Sequence, residues 1–243
     1  MENQNTGKRL NKFIADSGYC SRREADRLIE EGRVLVDDRK GVLGDKIVPG
    51  MKVVVDGHNL TGDGEKIYIV LNKPAGIVCT ADPREPMNVV DYINYPIRIF
   101  PVGRLDKDSE GLLLLTSDGE IVNRLLRAAG GREKEYEVEV DKPVTKEFLE
   151  KMMAGVEILD TVTLPCKIRK TGPRSFNIIL IQGLNRQIRR MCEALGYNVR
   201  KLRRIRIMNI KLGNMQPGQW REVTDEELSV LMNELERKEV LRK

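Results

Sequence analysis

Apolar and polar positions follow two different rhythms along this chain. Leu10, Phe13 and Ile14 recur at helical spacing, and Gly18 ends that segment. Ser21-Arg22-Arg23-Glu24 has the form of a capping box, with the serine hydroxyl offered to the Glu24 backbone NH and the glutamate reaching back, so a helix is expected to start there. Ala25, Leu28 and Ile29 supply its apolar face, Arg22, Arg23 and Arg27 project from another, and Gly32 stops it before a strand at Val34–Val36. Val53–Val55 repeats the strand-then-turn pattern, and the Gly/Asp-rich stretch TGDGE at 61–65 predicts a domain boundary.

Beyond that joint, strands alternate with short helices. Ile67 to Leu71 is an apolar run ended by Asn72-Lys73-Pro74. From Glu135 to Val140 the pattern alternates, with Tyr136, Val138 and Val140 on one face and Glu135, Glu137 and Glu139 on the other, as in a half-buried strand. Thr145 begins a helix that Gly155 ends, and strands follow near 162–170 and 175–181. Asn185 is the expected cap of a further helix with Ile188, Met191, Cys192 and Leu195 inward and Arg186, Arg189 and Arg190 on the opposite side. A phase change near Met208 within 199–212 predicts a bulge, and Thr224-Asp225-Glu226-Glu227 is a second capping box, opening a terminal helix with Leu228, Leu231, Met232 and Leu235 inward.

Charge refines this picture through its distribution. The 243 residues carry 42 Lys+Arg against 37 Asp+Glu, a formal net charge of +5. Residues 1–60 hold 11 basic and 10 acidic side chains, whereas residues 161–220 hold 13 basic ones and a single acid, Glu193. Such a segment fits a polyanionic partner. The longest apolar runs, such as Leu112 to Leu115, are too short to span a bilayer, and MENQNTGKRL has no secretory pattern, so a cytoplasmic protein with no membrane partner is expected. The single His58 sits in a turn and excludes metal sites built on two histidines; Cys20, Cys79, Cys166 and Cys192 are scattered singly, as free thiols of a reducing compartment are.

No P-loop, G-x-G-x-x-G or G-x-S-x-G is present, which removes support for nucleotide hydrolysis, dinucleotide redox and serine-hydrolase chemistry. What remains is PVGRLDKDSEGLLLLTSDG at 101–119, where polar residues of catalytic type precede a buried Leu112 to Leu115 strand. Taken alone, Asp106 is either an acid aimed at a substrate or a turn residue bonding its own backbone.

GRLDKDSEGLLLLTSDG resembles the signature of the RsuA/RluB/RluE/RluF family of ribosomal RNA pseudouridine synthases, and SGYCSRREADRLIEEGRVLVDD resembles the S4-type RNA-binding module that precedes it in most members. The likeness continues through LNKPAGIVCT, REKEYEVEV and QGLNRQIRRMCEALGY, covering nearly the whole chain. KEYEVEVDKPVT, AGVEILDTVT and QGLNRQIRRMCE look most like the RluF branch, which acts on 23S rRNA, rather than the RsuA branch, which acts on 16S rRNA. Ser117 departs from the pattern, since many relatives carry Asn there.

The resemblance implies an α+β fold: a small S4-like helical module over 1–62, then a mixed, mainly antiparallel sheet domain of pseudouridine synthase type over 63–243. It implies isomerisation of a uridine in a 23S rRNA stem-loop, with a tRNA anticodon arm as a second substrate. The N1–C1′ bond breaks, the base turns, and C5 takes the place of N1; no atom is gained, so neither cofactor nor metal is expected. Asp106 is implied as the catalytic aspartate, Tyr136 as the ring against the target base, and Arg189 as the cation that keeps the carboxylate ionised, with Arg190 the second choice. Arg104 is implied to fill the space of the flipped nucleotide or bind its phosphate, Leu105 and Ile188 to wall the pocket, and Lys73 to touch RNA or support the loop. Arg186 and Arg190, with the other cations of 161–220, would meet phosphates, and Arg22, Arg23 and Arg27 would grip the stem. Nothing demands more than a monomer. The rival readings are a non-catalytic S4-domain RNA-binding or ribosome-assembly factor, and a glycosidase-like hydrolase using Asp106 and Asp108.

Overall fold

The computed structural model describes residues 7–62, 64–82, 84–126 and 132–240. They form two compact units: the chain up to Ile67 with Tyr95–Ile99 and Ser117–Gly119, and Tyr68–Asn94 with Phe100–Thr116 and the chain from Glu120 onward.

In the first unit α1 (Leu10–Asp16) and α2 (Arg22–Glu30) pack beside an antiparallel sheet of β1 (Val34–Val36), β2 (Arg39–Lys40), β3 (Val53–Val55) and β4 (His58–Leu60), in the order β2-β1-β3-β4. Leu10, Ile14, Leu28, Ile29, Val34, Val36, Val53 and Val55 make its core. Ser21 caps α2 by accepting from the Glu24 NH at 3.1 Å, but the Glu24 carboxylate turns to Arg27. His58 belongs to β4, opposite Val55, rather than to the turn before it. Ser117, the departure noted above, bridges Glu65 and Ile67: its hydroxyl accepts from the Ile67 NH at 2.9 Å and donates to the Glu65 carbonyl at 2.8 Å.

The second unit is built on one large sheet. Its main strands are β5 (Tyr68–Lys73), β6 (Glu110–Thr116), β7 (Lys134–Val140), β8 (Lys167–Gly172), β9 (Ser175–Leu180), β10 (Val199–Ile207) and β11 (Trp220–Glu222), in the order β8-β9-β7-β10-β6-β5-β11. Every pairing in that path is antiparallel except β10 with β6, which makes the sheet mixed and mainly antiparallel. The helices are α3 (Val89–Ile93), α4 (Gly119–Leu126), α5 (Lys146–Ala154), α6 (Gln187–Ala194) and α7 (Asp225–Val240). One core cluster joins β7 and β9 to α5 and α6 through Val138, Phe148, Met152, Phe176, Ile178, Ile188 and Met191; another joins β5 and β6 to α4 and α7 through Val70, Leu112, Leu114, Ile121, Leu231 and Leu235. Each such fully buried side chain contributes ~1.5–3 kcal/mol, which makes these two clusters the main support of the sheet.

Local signals decide the element ends. Thr145 caps α5 through the Phe148 NH at 3.1 Å, and Thr224 and Glu227 bond each other's backbone NH at 3.2 and 3.1 Å in a complete capping box. At α6 the expectation fails: Arg186, not Asn185, is the cap residue, at a left-handed φ of 50°. Asn185 instead accepts from Arg190 through its carbonyl at 3.1 Å and its side-chain oxygen at 3.3 Å. The phase change near Met208 is a tight turn between Ile207 and Ile210, with Met208 at φ 50°. The bulge lies earlier: Glu135 pairs with Arg206 and Tyr136 with Arg204, leaving Ile205 over. That extra residue turns Arg204 onto the Tyr136 face and leaves Arg206 on the other, bonded to Glu135 at 2.9 Å and Glu133 at 3.1 Å.

Candidate active site

Asp106 lies in the loop that leads into β6, and a buried cation holds that loop. Lys73, fully buried at the end of β5, donates from Nζ to the carbonyls of Pro74 at 2.8 Å, Ser109 at 2.9 Å and Lys107 at 3.3 Å. Burial pushes its pKa below the usual lysine value, opposed by Cys79 and by the acids Glu110, Asp108 and Asp106. Of the two roles open to Lys73, the structure supports the second, a loop support: its ammonium is sealed from solvent, which takes it out of the set of RNA contacts. The Leu105 NH donates to Cys79 Sγ at 3.3 Å, and the Ser109 NH to the Asp106 carbonyl at 3.0 Å, which closes the turn.

Two arginines of one segment face the Asp106 carboxylate. Arg186 Nη1 is 3.7 Å and Arg189 Nε 3.8 Å from its Oδ2, and they differ in setting: the Arg189 side chain is 11% exposed, that of Arg186 40%. Arg189 does not share an exposed side with Arg186 and Arg190, although its spacing groups the three opposite the apolar face. It turns inward, with Nη2 reaching the Asp108 carbonyl at 3.4 Å and Ser109 Oγ at 3.3 Å, and Nη1 reaching the Val199 carbonyl at 3.4 Å. Its Nε is buried with no hydrogen-bond partner and is directed at the carboxylate. A guanidinium fixed at several points to backbone is a rigid counter-charge, which a partly buried carboxylate needs.

Tyr136 stands on β7 between Ile178 of β9 and Arg204 of β10. The Arg204 guanidinium lies 6.0 Å from its ring centroid and is fixed by a 2.7 Å bond from Nε to the Leu112 carbonyl. Close approach of β10 to β6 is what permits this: Gly111 has φ 105°, and a Cβ there would stand 2.2 Å from the Arg204 carbonyl oxygen. A carboxylate clamped by two cations and an aromatic ring without any metal-ligand cluster among the described residues can perform nucleophilic or proton-transfer chemistry on a base-bearing sugar.

The sequence profile of the family described as RNA pseudouridylate synthase matches residues 67–194, and that of the S4 domain matches residues 8–41. A Salmonella typhi protein named dual-specificity RNA pseudouridine synthase RluF is 52% identical over 233 residues, covering 95% of this chain and 81% of that protein. The chain belongs to the RsuA/RluB/RluE/RluF family of RNA pseudouridine synthases. Ribosomal large subunit pseudouridine synthase B of Bacillus subtilis strain 168 is 36% identical, covering 92% of this chain and 95% of that one. A crystal structure described as a pseudouridylate synthase superposes with a TM-score of 0.68 at 29% identity, covering 92% of this chain and 99% of that chain.

This synthase isomerises uridine in RNA without a change of atoms, and among its described residues no helix is long and apolar enough to cross a membrane. The structure brings Asp106, Arg186 and Arg189 together and leaves Arg190 bracing Asn185. Leu105 and Ile188 are buried, and Arg104 is exposed. Asp108 is exposed and meets the site through its backbone carbonyl rather than its carboxylate, as a second hydrolytic acid would not. Sequence reasoning missed Ser109, Lys134 and Arg204. The first two had a readable signal, since Ser109 adjoins the Asp106 motif and Lys134 shares the Tyr136 face; Arg204 had none, because the bulge at Ile205 breaks the alternation.

Proposed function

We propose that the synthase modifies a uridine in a 23S rRNA stem-loop, accepts a tRNA anticodon arm as a second substrate, and uses Asp106 as its catalytic carboxylate. The clamp of Arg186 and Arg189 on Asp106 carries this reading. Asp106 attacks C1′ or takes the C2′ proton, and in either course the base leaves C1′, turns over the Tyr136 ring and returns through C5. The name dual-specificity, borne by relatives at 52% identity, supports two RNA classes. Residues 1–62 grip the stem and 63–243 carry the chemistry, as a monomer acting in the cytoplasm. The test incubates 23S, 16S and tRNA transcripts with the protein and maps pseudouridine chemically. Product in 23S and tRNA but not 16S is expected; product confined to 16S would overturn the assignment.

Tyr136→Phe is expected to lower turnover more than it weakens RNA binding, while loss of the whole ring in Tyr136→Leu removes a stacking platform worth ~1–3 kcal/mol. Single-turnover rates and binding isotherms of the two variants separate these effects, and an unchanged rate in Tyr136→Phe returns the hydroxyl to a packing role.

The three arginines proposed for the stem are not equivalent. Arg22 and Arg23 are exposed on α2, whereas Arg27 is tied to Glu24 and lies 3.8 Å from Glu31. Arg22→Gln with Arg23→Gln should weaken RNA binding and reduce the slope of log affinity against log salt by about two, and Arg27→Gln should do much less. Binding titrations at several salt concentrations check this; equal effects of all three would show that the ion pairs do not restrain Arg27.

A further inference from the structure

Beside Tyr136 the sheet carries a group of cations that the clamp on Asp106 does not use. Lys134 lies two residues before Tyr136 on β7, so the two side chains project from one face, and its ladder partners Leu180 and Ile207 are buried and apolar. Arg204, directly opposite Tyr136, is 3% exposed and has a buried Nη2 without a hydrogen-bond partner. A buried donor of a fixed guanidinium is costly to leave unpaired, and the charged group that it faces on β7 is the Lys134 ammonium, whose own hydrogen bond is a long one of 3.5 Å to the Arg132 carbonyl. Burial first, then the charges of Arg204 and Arg132, push the Lys134 ammonium down to about 8. Repelling cations held at the rim of an aromatic platform mark a place where negative charge arrives during turnover.

The reaction supplies that charge. Whether Asp106 bonds to C1′ or takes the C2′ proton, the electron pair of the broken N1–C1′ bond stays with the base. The detached base is then the uracil anion, its charge spread over O2 and O4. The pair returns when C5 bonds to C1′, and the proton lost from C5 is balanced by one gained at N1.

We propose that Lys134 and Arg204 form a uracil-anion site, donating from the Lys134 ammonium and Arg204 Nη2 to the base oxygens while the base is detached over Tyr136. The interaction is strongest when the charge is fully developed, which is the condition for lowering the barrier rather than merely binding substrate. This rests on the assignment of the chemistry to Asp106 above.

The experiment measures single-turnover N1–C1′ cleavage in RNA carrying uridine or 5-fluorouridine at the mapped position. Fluorine stabilises the base anion and lessens the need for cationic help. Lys134→Gln is expected to slow the uridine substrate by about 10²-fold and the fluorinated one by far less, with RNA affinity and its salt slope unchanged. Lys134→Arg should recover most of the rate. It should also hold that rate above pH 8, where the parent declines as Lys134 loses its proton. Equal losses on both bases, or weaker binding with a shallower salt slope as a phosphate contact would give, overturns the proposal. If Lys134→Gln does not fold, the parent and Lys134→Arg pH profiles decide alone, and parallel decline in both overturns it. Turnover near the parent rate in Asp106→Asn would instead sink the Asp106 assignment and leave the Lys134 comparison standing, so the two failures are distinguishable.

Discussion

Asp106→Asn is expected to abolish pseudouridine formation, with a loss of about 10³-fold or more in single-turnover rate, while RNA affinity stays within about twofold. The substitution is nearly isosteric and leaves the backbone bond from the Ser109 NH to the residue 106 carbonyl in place, so the loop that Lys73 supports keeps its course. What changes is charge. An amide neither attacks C1′ nor takes a sugar proton, and Arg186 and Arg189 would face a neutral group at the distances now spanned to Oδ2. Arg189 retains Ser109, Asp108 and Val199 as partners, so the helix is expected to stay in position. Quantifying pseudouridine in transcripts, alongside filter binding and a thermal melt, checks all three statements. Turnover near the parent rate would remove Asp106 from the chemistry and return it to a turn role.

Gly111→Ala should do comparable damage through the fold. Its φ of 105° lies where side-chain-bearing residues are strained, and the added methyl carbon would stand 2.2 Å from the Arg204 carbonyl oxygen and 2.6 Å from the Arg204 nitrogen. Neither obstacle is a flexible side-chain end; both are backbone of the parallel pairing between β10 and β6. The expected cost is about 3–5 kcal/mol, a fall in Tm of about 10 °C or more, or loss of soluble protein. Gly183→Ala is the control, because no atom lies within 4 Å of its would-be Cβ, and it should melt close to the parent. A Gly111→Ala protein with an unchanged Tm would mean that the two strands separate more easily than their register implies.

Much of this architecture was legible because the signals are local. Ser21 and Thr224 cap the helices their sequences announce, and the alternation from Tyr136 to Val140 gives the buried face of β7. Errors arose where long-range contacts overrode local rules. Helical spacing alone sets Arg189 on the side opposite the apolar face with Arg186 and Arg190, yet the carbonyls of Asp108 and Val199 and the Asp106 carboxylate draw it inward, as the family resemblance implied. Lys73 reads equally as an RNA contact or a loop support, because nothing near it in sequence reveals the carbonyls 34 and 36 residues away. Asn185 had the composition of a cap, but the left-handed turn at Arg186 and the grip of Arg190 gave it another task.

The unpaired residue at Ile205 has a consequence beyond local geometry. It sorts the arginines of β10 between two electrically different surfaces: Arg206 joins a face where glutamates neutralise it, and Arg204 joins one where its nearest charged neighbour on β7 is another cation. Were Ile205 paired in register instead, it would stand opposite Tyr136, and Arg204 would pass to the glutamate face opposite Glu137. A single unpaired residue thus decides that the ring of Tyr136 is met by a cation rather than by an isoleucine.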